Sequence, residues 1–259
     1  MSEIDIGLGN KLFRTVRKSR DLLFSQGELA QLSHSSFHES IENIAAGDVE
    51  EITISYPVGY KPSKESILGT SRYTKEKLTN RYNYLMHTQL PVSGIFQLSM
   101  IMEVMFTSLI RDIVFEIPAK INSKKQVSVG EVIKSKSIEE LHSSIIDKVL
   151  NELSYKSPKD FADEAESYLS VNLLECAAYH QYIEMKSTRD ILIHNFGIVN
   201  EIYINKAGTH ARAREGEQLP ISQVYFLEMY EACLQITEWL ELKLHEKWHS
   251  SEYKDQETK

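Results

Sequence analysis

The stretch from Ile95 to Ile117 limits the possible folds of this chain more than any other segment. It is apolar for most of its length, yet Gln97, Glu103, Arg111, Asp112 and Glu116 interrupt it. A membrane span needs roughly 20 apolar residues in a row and rarely tolerates that many charges. A surface helix would leave too much apolar side chain in water. The consistent reading is a buried core helix, stopped by Pro118, with other elements packed around it. Hydrophobic residues make up 42% of the chain, enough to build that packing.

The second half supplies helices to do so. Ser137-Ile138-Glu139-Glu140 has the form of a capping box, and Ile138, Leu141, Ile145, Val149 and Leu153 follow at helical spacing. Ser157-Pro158-Lys159-Asp160 repeats the signal with proline at the first helical position. From there one long helix is expected through Leu169, Leu173, Ala177 and Ile183 to about His194. Asn195-Phe196-Gly197 is expected to stop it, since Gly197 can take positive φ. Gly208 and Gly216 bracket a loop, and residues 221–248 form a last amphipathic helix carrying Val224, Leu227, Leu234 and Leu240. The tail from Ser250 is polar and expected to fray.

The first half is less regular. Residues 8–30 read as a helix with Leu12, Phe13, Val16 and Leu22 to Phe24 on its apolar side. Ile52, Ile54 and Tyr56 alternate within Glu50 to Tyr60, which suggests a short strand or extended arm. Pro62 to Ser71 reads as a loop and Thr74 to about His87 as a helix. Pro91 and Gly94 are expected to punctuate the chain before the core helix. The expected architecture is therefore all-α: an antiparallel helical bundle over 91–249, an N-terminal extension over 1–90 and a polar tail over 250–259.

The net charge of −8 argues against a protein that coats nucleic acid through bulk charge. Local basic groups exist at Lys11, Arg14, Arg17, Lys18 and Arg20, at Lys120, Lys124 and Lys125, and at Lys206, Arg212 and Arg214. Solvated helix faces are the simplest account of each. The two cysteines, Cys176 and Cys233, fit a reducing, cytoplasmic setting and exclude a disulfide scaffold or a four-cysteine zinc site. Met1 to Asn10 lacks a basic segment followed by an apolar one, so a secretory leader is not expected.

Chemistry concentrates at Arg189-Asp190-Ile191-Leu192-Ile193-His194-Asn195. Asp190 and His194 are four apart on one helix face, so the carboxylate could accept from one imidazole nitrogen and fix the tautomer. His194 sits in the last helical turn, where the helix dipole favours imidazolium, a state suited to general acid–base work. Arg189 lies about 140° round the helix from His194. It would flank a cleft rather than touch the histidine, and its guanidinium can pair with a phosphate.

Residues Glu184 to Gly208, EMKSTRDILIHNFGIVNEIYINKAG, resemble the ribonuclease-like branch of the HEPN superfamily. In that branch an arginine, a polar residue, three mostly apolar residues and a histidine, often followed by asparagine, mark the active helix. The wider likeness covers roughly 91–245 and rests there on helix order alone. The resemblance implies an HEPN-type bundle that dimerises with the two motifs facing across a cleft, and metal-independent RNA cleavage with no cofactor. It also implies a toxin or antiviral effector, with an antitoxin or nucleotidyltransferase as a conceivable partner, and no membrane association. Arg189, Asp190 and His194 would then be the catalytic set. His194 would move the proton of an attacking RNA 2′-hydroxyl, and Arg189 would stabilise the phosphorane-like transition state. Asn195 could bind phosphate, although capping the helix is simpler. Tyr203 and Lys206 could line the cleft, with packing the simpler account of Tyr203. Glu184 could pair with a basic residue across the dimer or lie solvated. Glu103 is at most a supporting residue. A module that dimerises, or binds RNA or a partner, without cutting is the alternative.

Two rival patterns are weaker. His245-Glu246-Lys247-Trp248-His249 satisfies H-E-x-x-H, the pattern of zinc hydrolases. A third ligand could come only from Glu252, Asp255 or Glu257 in the tail, so a charged last turn is the simpler reading and no metal is expected. Arg81 to His87 repeats the arginine–histidine spacing, and His34 with His38 the four-residue spacing of two imidazoles; neither has further support.

Overall fold

The structure, a computed structural model, describes residues 3–48, 50–121 and 127–253, with side chains from Gly7 onward. The elements follow in order: α1 (Glu3–Ala46), β1 (Glu51–Tyr60), β2 (Ser66–Thr74), α2 (Lys75–Tyr84), a π turn (Leu85–Gln89), α3 (Leu90–Glu116), α4 (Val129–Lys134), α5 (Ile138–Ser154), α6 (Pro158–Leu169), α7 (Ala177–His194), α8 (Glu201–Ala207) and α9 (Gln223–Trp248). The fold is an all-α bundle with one small two-stranded sheet. No helix among the described residues is long and apolar enough to cross a membrane.

The described residues divide into two compact units. The larger takes 3–26, 95–121, 127–220 and 227–253; the smaller takes 27–48, 50–94 and 221–226. Residues 3–26 therefore cluster with the bundle residues. Leu12, Val16 and Leu23 of α1 are fully buried there. Lys11 pairs with Asp112 at 3.0 Å, Arg14 with Glu252 and Arg20 with Glu241. Most of the first basic cluster thus serves internal ion pairs. In the second cluster Lys120 donates to the Ser167 carbonyl at 3.1 Å, while Lys124 and Lys125 lie outside the described residues.

Helix α3 holds the core of the larger unit. Ile95, Leu98, Met102, Met105, Leu109 and Ile113 are fully buried at helical spacing. Phe106 packs its ring against Phe161, Tyr179 and Tyr182 at centroid distances of 5.7, 5.9 and 5.6 Å. Such ring pairs add about 0.5–1.5 kcal/mol each beyond burial.

The serine half of each cap forms, but at Ser137 the box does not close, because Glu140 Oε2 accepts from Lys136 N–H at 2.7 Å and not from Ser137. Ser137 and Ser157 accept from the backbone N–H of Glu140 at 3.1 Å and Asp160 at 3.2 Å. Between Pro158 and His194, however, the chain forms two helices, not one. Ser170 turns to φ 56°, and Asn172 accepts from Leu174 N–H at 3.0 Å to start a 3₁₀ turn (Leu173–Glu175) before α7. The freed Leu169 carbonyl accepts from Trp248 Nε1 at 3.2 Å, a partner some eighty positions away that local sequence does not reveal.

In the smaller unit, the expected strand at 50–60 pairs antiparallel with β2, which replaces the expected loop over 62–71; the turn is confined to 61–65. Pro91 does not break the chain. The π turn ahead of it widens the helix where a proline ring would strike the carbonyl four residues back. Helical structure consequently continues from Lys75 to Glu116.

Residues 250–253 of the tail pack against α1 and do not fray. Ser250 Oγ and Ser251 N–H donate to Asn10 Oδ1 at 2.9 and 2.8 Å, and the Tyr253 ring meets Phe13 edge-on. Residues 254–259 of the polar tail lie outside the described residues.

Candidate functional site

Helix α7 carries the site because its middle is buried and its end is not. Tyr182 to Thr188 are all buried, including the polar Glu184, Lys186, Ser187 and Thr188, whereas Ile193 and His194 are exposed. The stop is where the sequence placed it. Asn195 and Gly197 N–H groups both donate to the Ile191 carbonyl at 2.9 Å, with Phe196 at φ 52° and Gly197 at φ 77°. The loop after α8 returns to pair Leu219 N–H with the Gly197 carbonyl and Val199 N–H with Glu217, at 2.8 and 2.9 Å.

A cavity of about 660 Å³ opens beside this end of α7. Its walls come from α3 (Glu103, Phe106, Thr107), the turn between α5 and α6 (Tyr155, Lys156), α7 (Lys186, Arg189, Asp190, His194) and the α8 region (Asn200, Ile202, Lys206). All belong to the larger unit. Arg189 and His194 therefore share one open space while making no hydrogen bond to each other, the flanking arrangement expected from their spacing.

The charged groups are cross-linked. Glu103 Oε1 accepts from Arg189 Nη2 and, at 3.2 Å, from Lys186 Nζ. Arg189 Nη1 donates to Asp190 Oδ1 at 3.0 Å and its Nε to Ser99 Oγ at 3.4 Å. Lys206 Nζ donates to Asp190 Oδ2 at 3.3 Å. The expected hydrogen bond from His194 to Asp190 is not formed. Both carboxylate oxygens face cations, which are stronger partners than a neutral imidazole. Among the described residues His194 takes part in no hydrogen bond or ion pair. Asn195 ends α7 through its backbone N–H; its side-chain Nδ2 donates to the Ile198 carbonyl at 2.7 Å, in the turn beyond the helix, and the residue also borders the cavity.

Two expected cleft residues lie elsewhere. Glu184 is neither solvated nor directed across a dimer: it is 2% exposed. Its Oε1 accepts from Thr188 Oγ1 and Tyr203 OH, both at 2.7 Å, and from Arg212 Nε at 3.0 Å. Tyr203 is fully buried. Burial, reinforced by the Glu184 carboxylate, pushes its phenol up to about 12. Arg212 also donates from Nη2 to Thr188 Oγ1 at 3.2 Å and from Nη1 to the Pro220 carbonyl. This group anchors the loop after α8 to α7 and so fixes the ground on which Lys206 stands.

Lys186 was missed by sequence reasoning, and Glu103 was underrated. Both left signals. Lys186 precedes Arg189 by three residues and so shares its face. Glu103 is a carboxylate in an otherwise apolar turn of a core helix, which requires a cationic partner.

Among the described residues the H-E-x-x-H segment assembles no metal site. Helix α9 ends at Trp248, His249 turns to φ 52°, the His245 ring stacks on Tyr253 at 4.3 Å and Glu246 pairs with Lys243 at 2.8 Å. Among the described residues no group of three or more His, Cys, Asp or Glu is placed to hold a metal ion; Asp255 and Glu257 lie outside them. No family model, no curated protein and no solved structure matches this chain.

Proposed function

We propose that the chain is a metal-independent endoribonuclease of HEPN type. The observation that carries this reading is a cavity bordered by His194, whose imidazole has no hydrogen bond or ion pair among the described residues, and by the guanidinium of Arg189 with Lys186 and Lys206 beside it. An imidazole and clustered cations around one space suit transfer at a phosphodiester without a metal. In the proposed step the RNA 2′-oxygen bonds to its own phosphorus and the bond from phosphorus to the 5′-oxygen breaks. His194 takes the proton from the attacking 2′-hydroxyl and delivers a proton to the departing 5′-oxygen, so the proton count balances. The cations stabilise the added negative charge of the phosphorane-like transition state. The products are a 2′,3′-cyclic phosphate and a 5′-hydroxyl.

The apolar side chains around His194 support a homodimer with the cavity at its interface. Phe196 is 89% exposed, and Ile193 and Ile202 are 50% and 63% exposed. Exposed apolar groups of this kind mark contact surfaces. A toxin or defence role, with a regulating partner, belongs to the same proposal.

One observation favours the alternative, a module that binds RNA or a partner without cutting it: Arg189 already donates to Glu103, Ser99 and Asp190. Incubation of purified protein with mixed single-stranded and structured RNA, with and without EDTA, separates the readings. Cleavage should persist in chelator and fall at least about 100-fold in His194→Ala. Intact RNA retained by a folded protein would establish the binding module instead.

A further inference from the structure

The cavity's charges nearly cancel, and Glu103 and Asp190 are the reason. Lys186, Arg189 and Lys206 bring three positive charges to its wall, and Glu103 and Asp190 bring two negative ones. The remaining lysine on the wall, Lys156, is paired with Glu164 at 3.0 Å. His194 stands at the rim with no ionic partner. Leaving it aside, the wall carries a surplus of one positive charge. Asp190 also meets two of the three cations, Arg189 and Lys206, but spends one oxygen on each, whereas Glu103 meets Arg189 and Lys186 through Oε1 alone, which leaves Oε2 outside those ion pairs. The Glu103 side chain is 32% exposed, so it also faces any ligand that enters.

We propose that Glu103 sets the cavity for a singly charged phosphodiester and against the doubly charged terminal phosphate of a nucleotide. This rests on the reading above that the cavity takes phosphate. A diester brings one negative charge to a wall with one positive charge in excess. A terminal phosphate near neutral pH brings close to two, and the second must sit against a carboxylate in a confined, partly dehydrated space. Selection by charge directs the site to linkages inside a chain rather than to chain ends or free mononucleotides. It also gives a physical use for carboxylates in a phosphate site, where they would otherwise only weaken binding. Glu103 is thus a specificity-determining residue that acts on ligand charge.

Calorimetric titration with two probes tests this. One is a 2′-deoxy dinucleoside monophosphate, an uncleavable diester. The other is the corresponding deoxynucleoside 3′-monophosphate, whose second ionisation lies near pH 6. At about pH 7.5 the wild-type chain should bind the diester more tightly, and Glu103→Gln should improve monoester binding about tenfold relative to the diester. At about pH 5 the monoester carries one charge, and the wild-type preference should shrink without any substitution. Glu103→Asp, which keeps the charge, should keep the preference. Equal changes for the two probes in Glu103→Gln, or a preference unaltered by pH, would overturn the proposal. If neither probe binds the wild-type chain, the phosphate reading falls and this inference with it. If the charge preference is present but no RNA is cut, the inference stands and the catalytic reading falls.

Discussion

At the scale of single residues, the site separates into groups that face the cavity and groups that hold its walls. Arg189 and His194 could be read from sequence because an arginine and a histidine near a helix end imply a face and a chemistry. Glu184 and Tyr203 could not be assigned that way. Which side of α7 becomes buried depends on Arg212, which reaches Glu184 from the loop after α8. Removing one member of a buried ion pair costs about 3–5 kcal/mol, because the other charge loses its cation or anion inside the fold. Arg212→Met should therefore lower unfolding free energy by about that amount. Adding Glu184→Gln to Arg212→Met should recover a large part of it. Urea denaturation of the two single variants and the double variant measures this, and strictly additive losses would show that the pair is not coupled.

At the scale of elements, the sequence signals that succeeded are local. Serine caps, the stop at Asn195 to Gly197 and the apolar stripe of α3 each depend on neighbours a few positions away. The signals that failed are not local. The break between α6 and α7 is supported by Trp248 from α9, and β2 is defined by β1 rather than by its own alternation. The short helix α4 combines both kinds. Ser128 and Glu131 form a reciprocal capping box, and Lys148 from α5 pairs with the same carboxylate. Together Lys148, first, and the Ser128 hydrogen bonds hold Glu131 down to about 2. The direction fixes the pH dependence. The folded value lies below the unfolded one, so the stabilisation is present above the ordinary glutamate range and is lost as pH falls toward about 2. A carboxyl-detected NMR titration should place the Glu131 midpoint near that value. Lys148→Met should move it up toward the ordinary range, and an unmoved midpoint would contradict the assignment to Lys148.

At the scale of the molecule, the apolar helix that argued against a membrane span and for a bundle supplies both the core and one wall of the cavity. One face of α3 buries Met102, Met105 and Leu109, while Glu103 on another meets the cations of α7. Cys176 and Cys233 lie inside this packing, 5% and 1% exposed, and burial pushes both thiols up. Neither should react with a thiol reagent at neutral pH while the chain is folded, and both should react in denaturant. Rapid labelling of either in the native protein would contradict the packed core. The functional account depends on the chemistry at the open end of α7, and the identity of the RNA ends it leaves tests that most directly. Phosphorus NMR of products formed in excess chelator should show a 2′,3′-cyclic phosphate that is absent with His194→Ala. Linear 3′-phosphates or 5′-phosphates appearing from the start, or cyclic ends made equally well without His194, would contradict the account.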